Sequence, residues 1–592
     1  MNKRIQRPRE SGGFVLVVSL FVMAVLLILA TVFLWTAQTE STIATNYRNQ
    51  AVAFHAAEGG VESGLVSLRS LLAMTRTPTD KQLADLAPSA LSNPQYTVSN
   101  FEVARVRPTP PYDYRTVFSS GPFAGLNAMT TDYRITAVVT GPRGSQAQVS
   151  QVMKHMAIPL FQFGAFYGEG VDFEVYAGPT FWFTGRVHAN SNIHLVDSGS
   201  SGQFYDSYVT AAGNFYRHRK DTACCDDRRG NPQVKDAEGS YQYLDFDREV
   251  KNISSDGNTW ETGDVDYWRT EALNRFGGKV QDSAHGVEMI KPPIADALYD
   301  SDNPTASSHL MIEMGTASDT AEMKEAKLYY EAGIRIIEDG GVIKVTDQDG
   351  KSVNLPNDAV TTQSFYDARE QKTVNVIELN VDKLNPANLK NGIVYVASTA
   401  APTDTTMPGV RLVNGGKLPK DGLTVVSQNP VYIKGDYNKD SWGQKGPKGE
   451  EVVPPAAILA DAITILSGNW DDKKGHLPAK ERGANDTIVN AALAMGPHAE
   501  AKPGAGNGEF NNLIRFLEDW GGKELKYKGS IVALWHSQQA TAPWRCCNVN
   551  DPNHYYRPPK RNWGYDTQFD TNPPPGTPMG ILQMRGQWSS GG

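Results

Sequence analysis

The chain has 592 residues, 40% apolar and 21% charged, with a formal net charge of −8. A mean hydropathy of −0.41 excludes a polytopic membrane protein, and 11 Trp, 24 Tyr and 21 Phe exclude a disordered chain. The acidic balance offers no concentrated basic face for nucleic acid, four Cys are too few for a disulfide scaffold, and 54 Gly with 35 Pro point to turn-rich β structure.

Residues 1–13 are polar and basic, with Lys3, Arg4, Arg7 and Arg9 against Glu10. Phe14 to Trp35 is a run of 22 residues without a charge. About 20 apolar residues cross a bilayer core of ~30 Å. Basic residues before the run keep that end cytoplasmic and place the rest of the chain outside, on an inner-membrane anchor. A cleaved secretory signal has a shorter apolar core, about 7–15 residues. A plain single-pass anchor is the simpler alternative.

Helix-compatible residues continue to Leu72, and no proline follows Gly13 until Pro78. Ala51, Phe54, Glu58, Val61, Leu65, Leu68 and Leu72 recur in steps of three and four, the spacing of a helical contact stripe. One helix over 14–72 would be ~88 Å long. Gly59, Gly60 and Gly64 each weaken it by ~1 kcal/mol relative to Ala. A helix apolar at its start and amphipathic later suits lateral packing into a bundle of copies.

The basic leader, Gly13 and the Phe14-Val15-Leu16 opening resemble the class III signal of type IV pilins. Thr42-Ile43-Ala44-Thr45-Asn46-Tyr47-Arg48-Asn49, followed by Ala53-Phe54-His55-Ala56-Ala57-Glu58, resembles the PilX-type minor pilins in its Asn-x-Arg and Ala-x-x-Ala-Ala-Glu pattern. The resemblance implies that a prepilin peptidase cuts between Gly13 and Phe14 and that Phe14 is then methylated. Phe54, Glu58, Val61 and Leu65 would form the assembly stripe. Major pilins carry a glutamate where this chain has Val18. Without that carboxylate, a place at the filament tip or in priming fits better than one inside the shaft.

Residues 75–92 read as a polar connector. Residues 96–107 alternate as a strand, and Tyr133, Ile135, Ala137 and Val139 alternate before a turn at Gly141-Pro142-Arg143-Gly144, with 145–156 returning. The expected fold class is α+β. It comprises the leader (1–13), the membrane and pilin helix (14–74), a pilin-like antiparallel sheet (75–158), a large β domain (159–554) and a Pro- and aromatic-rich tail (555–592). In the large domain, short apolar strands follow one another between Gly, Asn and Asp turns. They include Phe181–His188, Ile193–Val196, Val374–Ile377, Ile393–Val396, Leu423–Val426, Val431–Ile433, Ala457–Leu459, Ile463–Leu466, Ile488–Ala492 and Ser530–Leu534. A parallel β-helix is the expected architecture, with a sandwich as the alternative. Short helices are expected at Ser364–Glu370 and Phe510–Trp520. The blocks 422–438 and 516–520 resemble the long C-terminal domains of PilX-type chains. The tail is expected to lie extended along the body.

Cys224-Cys225 and Cys546-Cys547 form two adjacent pairs. In an exported domain disulfides are expected; cross-links between the pairs come first and bridges within each pair second. A zinc site would normally use C-x2-C spacing, absent here. Asp436, Asn438 and Asp440 stand at alternate positions, as at the start of a calcium loop, but position six is Ser441 and position twelve is Pro447. An Asx-rich turn is the other reading; no other cofactor is expected. His188, Asn190, Asn192 and His194 share one face of a strand as ligands or as stacking residues. Arg217-His218-Arg219-Lys220 reads as a solvated loop. Asp264 and Asp266 would need a fixed separation across a groove to cleave polysaccharide. No Walker loop, GxSxG elbow or HExxH is present.

The expectation is therefore a non-enzymatic minor pilin-like component at a filament tip or in assembly priming, with a potential adhesive role. Its partners would be the prepilin peptidase, other minor pilins and the assembly platform, and it would reach the cell surface after assembly. The alternatives are an anchored β-helix enzyme acting on polysaccharide and an anchored adhesin without a pilus role.

Overall fold

A computed structural model describes residues 12–591 apart from 76, 178–179, 198–201, 217–231, 245–264, 386–388, 442, 446–448, 450 and 500–508. Residues 1–11 of the leader, Cys224, Cys225, the 217–220 knot and Asp264 fall outside the described residues. The fold is α+β. Helix α1 (Gly12–Met74) runs unbroken for 63 residues, as the absence of proline allows. A short capped helix follows: Thr79 Oγ1 accepts from Gln82 N at 3.2 Å, and Thr79 N donates to Gln82 Oε1 at 2.8 Å.

Next come β1 (Thr97–Arg105), β2 (Tyr114–Val117), β3 (Asn127–Thr140) and β4 (Gln146–Pro159). They form an antiparallel sheet in the order β1–β3–β4, with β2 also pairing with β3. The alternation expected at Tyr133, Ile135, Ala137 and Val139 is the buried face of β3, and α1 lies on it. A fourth strand on the main path comes from the far end of the chain. Met579–Gly591 pairs antiparallel with β4, with Met579 opposite Pro159 and Ile581 opposite Ala157.

From Ala165 onward, the chain coils. Strands Ala165–Tyr167, Val187–Ala189 and Val209–Ala211 begin at 165, 187 and 209, a step of 22 residues, and pair in parallel. Phe173–Ala177 with Ile193–Asp197 and Phe181–Phe183 with Gln203–Tyr205 repeat the pattern on two further faces. A second arm starts at Ile334–Asp339 and passes through Ile393–Ser398, Leu423–Ser427, Ala456–Ala460 and Ala492–Ala494, again in parallel. Its last strand, Ile531–Ala533, pairs with Ala165–Tyr167, the first strand of the other arm. The two arms thus share one 11-stranded sheet whose middle joins the two ends of the coiled region. Parallel pairing of successive turns on all three faces is not the face-to-face antiparallel packing of a sandwich.

Strands such as Ile393–Ser398 are buried at every position. Their inner side fills the coil; their outer side packs under Phe161, Phe163, Ile290, Met311 and Ile312. Burial on both faces explains why these runs do not alternate.

Two expectations need correction. Ser364–Glu370 is not helical: Val360–Asp367 is a strand paired antiparallel with Lys372–Asn380. Phe510–Trp520 is not a helix either. Phe510–Asn512 makes one 3-10 turn, and Arg515–Phe516 pairs in parallel with Thr464–Ile465. Leu513, Ile514, Phe516 and Leu517 are all buried in the coil interior, so tertiary packing overrides their helical spacing. The tail lies extended along the body as expected: Lys560–Tyr565 pairs with Glu524–Gly529 before Met579–Gly591 crosses to the first sheet. A helix at Val265–Phe276 was not anticipated.

Candidate functional site: the exposed helix and its seat

Phe14 is 75% exposed, and the space around the Gly13 Cα is open within 4 Å of a built Cβ. Every residue from Phe14 to Trp35 is exposed, so none of the described residues covers this apolar segment. Twenty-two residues at 1.5 Å rise span about 33 Å, enough for a bilayer core. The hydroxyls in and just beyond the segment bond back into the helix: Ser19 Oγ donates to Leu16 O at 2.9 Å, Thr31 Oγ1 to Ile28 O at 2.8 Å and Thr36 Oγ1 to Val32 O at 2.9 Å. Such self-satisfaction is what a lipid environment demands of a polar group. Val18 lies within this exposed apolar surface.

The second half of α1 is seated on the antiparallel sheet. Ala53, Ala57, Val61, Leu65, Leu68 and Leu72 bury against Ile135, Ala137, Val139 and Val149. The close approach depends on glycine. A Cβ on Gly64 would lie 2.7 Å from Ile135 Cγ2 and 2.8 Å from Phe101 Cζ; one on Gly60 would lie 3.0 Å from Ala137 Cβ. The helix-weakening cost expected for these two residues thus accompanies intimate packing.

This seat corrects the assembly stripe. Val61 and Leu65 are 3% and 1% exposed, already consumed by the chain's own sheet. Phe54 and Glu58 remain half-exposed. His55 Nδ1 lies 2.8 Å from Glu58 Oε2. Phe54 meets Trp588 edge to face at 6.1 Å between ring centroids. Arg585 donates to both oxygens of Glu62, at 2.5 and 2.7 Å, and this hydrogen bonding lowers the Glu62 pKa. Sequence reasoning missed the C-terminal strand that supplies Trp588 and Arg585. Its trace in the sequence is faint: Gly580 and Leu582 are its buried positions, and a proline run precedes them.

The other constellations have structural partners. His188 Nδ1 lies 2.8 Å from Thr210 Oγ1 and Nε2 lies 3.0 Å from Asn190 Oδ1. Asn190 Nδ2 donates to Ile290 O, and Ile290 N donates back to Asn190 Oδ1, tethering the outer segment to a coil strand. His194 stacks on Tyr216, and Asn192 Oδ1 accepts from Asn214 N. Asp436 accepts from Ile488 N at 2.9 Å and from Lys439 Nζ at 2.8 Å. Asn438 is buried and exchanges amide-to-carbonyl bonds with Asn490, while Asp440 is exposed. The structure therefore does not draw these three side chains onto a common point. Among the described residues no group of three or more His, Cys, Asp or Glu is arranged to hold a metal. Cys546 and Cys547 are joined to each other, so the first-choice cross-link between the two pairs is replaced by the second choice at this pair. Asp266 is exposed and faces Arg269 at 3.4 Å on its own helix, not a groove.

No family model and no curated protein matches the chain. Among solved structures, the competence-associated pilin ComZ from Thermus thermophilus is similar over 92% of this chain and 97% of that one, at 11% identity and a TM-score of 0.29. At that score neither fold nor role passes from one chain to the other.

Proposed function

We propose that the chain is a minor pilin-like component of a type IV pilus assembly system, of the PilX type, acting at the filament tip or in priming. One observation carries this reading. A continuous helix leaves its first 22 apolar residues bare and seals its second half onto an antiparallel sheet. A lipid tether alone needs the bare part but not a rigid, unbroken continuation into a folded head. In this reading Gly13–Phe14 is the processing bond. The anchor holds the precursor in the inner membrane, and the platform transfers the bare helix from lipid to neighbouring helices. The apolar surface is the same in both settings, so the exchange carries little net hydrophobic cost. Val18 leaves no carboxylate to neutralise a neighbour's amine, and the coiled body, a parallel β-helix in this reading, is too bulky for regular repetition along a shaft. Both favour the tip. The work of the molecule is assembly, with surface contact by the body, rather than catalysis.

Mass spectrometry of the N-terminus from cells tests this. A mature chain starting at N-methyl-Phe14, recovered in sheared surface fibres, is expected. Gly13→Val should block both. An intact Met1, or a cut near residue 37, overturns the reading.

A further inference from the structure

Residues 540–557 form a loop packed on the coil and pinned at both ends. At its start, Arg515 donates to Ala540 O at 2.6 Å and Arg369 Nε to Ala542 O at 3.2 Å, while Ala542 N donates to Glu370 Oε2 at 2.9 Å. At its end, Arg482 donates to Tyr555 O at 2.7 Å, and Arg557 donates to both oxygens of Asp519, at 2.6 and 2.9 Å. The tip between them, 545–554, is held differently. Cys546 is 7% exposed and sits in the coil's core with Tyr555 and Tyr556, whereas Cys547 is exposed. Cys547 N donates to Tyr556 O at 3.0 Å and pinches the loop together. That bond comes from a residue with φ of +89°, a region that side chains other than glycine rarely occupy. The other positive φ angles of non-glycine residues, among the described residues, lie between 53° and 61°. The bond between these neighbouring sulfurs closes a ring that includes the peptide link itself, so it holds Cys547 in that conformation covalently.

We propose that Cys546–Cys547 is a thiol-exchange site that latches this tip, opened by a dithiol and closed by oxidation. Cys547 is the exposed side of the bond. An attacking thiolate forms a mixed disulfide there, and Cys546 leaves as a thiolate and takes up a proton. A monothiol gets no further, because Cys546 stands beside the mixed disulfide and expels it again. With a dithiol, the second sulfur makes that attack instead. The reagent departs as a cyclic disulfide and both cysteines end as thiols, two electrons and two protons having passed to the protein. Once the ring is open, the backbone of Cys547 has no covalent support at a positive φ and relaxes. Its N–H then leaves Tyr556 O, Cys546 withdraws from the core, and Tyr555 and Tyr556 are uncovered. Arg369, Arg482 and Arg515 keep the loop's ends in place, so the change is confined to the tip. The inference stands on the loop and does not depend on the pilus reading.

The test uses the full-length chain in nonionic detergent. Peptide mapping of the unaltered chain should find the 546–547 bond inside one peptide; a cross-link from it to 224–225 overturns the proposal. Exchange is then followed in a chain carrying Cys224→Ser and Cys225→Ser, so that only this pair reacts. Dithiothreitol should make both thiols reactive to iodoacetamide and raise hydrogen exchange in 545–556 at least tenfold, reversibly on reoxidation, while 531–533 stays unchanged. Reduced glutathione at the same thiol concentration should leave exchange low. Two double variants separate the ring from the packing. Cys546→Ala with Cys547→Gly, where glycine accepts the positive φ without a ring, should stay protected with or without dithiothreitol. Cys546→Ala with Cys547→Ala should exchange like the reduced chain. Unchanged exchange on reduction, equal opening by glutathione, or equal protection in the two double variants overturns the proposal.

Discussion

At the scale of single residues, His188 shows how burial decides chemistry. It is 0% exposed and packed against Phe163 and Phe166, and burial pushes its pKa from 6.5 down to about 4. His155 is lowered to about 4 by the same cause. The unfolded chain binds protons at these sites from about 6.5 downward, while the fold resists until about 4. Their stabilising contribution is therefore present above 6.5 and lost as pH falls toward 4, by roughly 3 kcal/mol for His188. His309 opposes this trend. Burial alone would lower it, but the adjacent Asp461 and Glu313 carboxylates outweigh that and raise its pKa. Its contribution is complete in mild acid and fades as pH rises through its raised value. Chemical denaturation across pH 4–8 should show steep acid loss, flattened in His188→Gln if the variant folds. A flat wild-type profile would refute the assignment. The glycines of α1 give a paired prediction. Gly59 has open space around a built Cβ, so Gly59→Ala should gain up to about 1 kcal/mol of helix propensity. Gly64 faces Ile135 and Phe101, so Gly64→Val should cost about 1–3 kcal/mol by overpacking. Thermal melts of the two variants should move in opposite directions.

At the scale of elements, the C-terminal strand separates what burial enforces from what charge decorates. Its ion pair with Glu62 is half-exposed on both sides, so Arg585→Ala should change stability by less than about 1 kcal/mol. Deleting residues from 579 onward is a different matter. It would strip the edge of β4, where Gln151 Nε2 donates to Gly586 O at 2.9 Å, and expose Leu582's site in the core between sheet and body. Hydrogen exchange at 149–158 should rise by orders of magnitude in the deletion and stay near wild type in Arg585→Ala. Legibility in the sequence follows the same division. The β3 alternation was readable because one face is buried and the other is more open. The bare start of α1 was readable because no charge interrupts it. The Val61 and Leu65 stripe was misread because steps of three and four describe a contact face without naming its partner, here the chain's own sheet. The C-terminal strand was illegible because its partner lies at the opposite end of the chain and most of its outer residues remain exposed, leaving little pattern. The 510–520 segment looked helical because residues buried in a coil can match helical spacing by accident.

For the whole molecule, the decisive joint is Ile531–Ala533. It pairs with Leu493–Ala494 on one side and Ala165–Tyr167 on the other, so the last strand of the late arm is the neighbour of the first strand of the early arm. Neither arm ends in a polar cap at this point; each buries the other's otherwise bare apolar turn. Stacked-turn proteins usually need such caps to stay folded. The early arm therefore cannot be complete until residue 533 is in place, and the first sheet cannot be complete until 591 is. Folding of the head is tied to residues 531–591, while α1 is available from the start. Val532 sits at the joint with no exposed surface. Val532→Asp would bury an unpaired charge at a cost of several kcal/mol. If the joint couples the arms, hydrogen exchange measured by mass spectrometry should show strands 187–211 and 423–466 losing protection together in this variant. Loss confined to the late arm would show that the early arm stands alone, and that the shared sheet is a contact between two independent folding units.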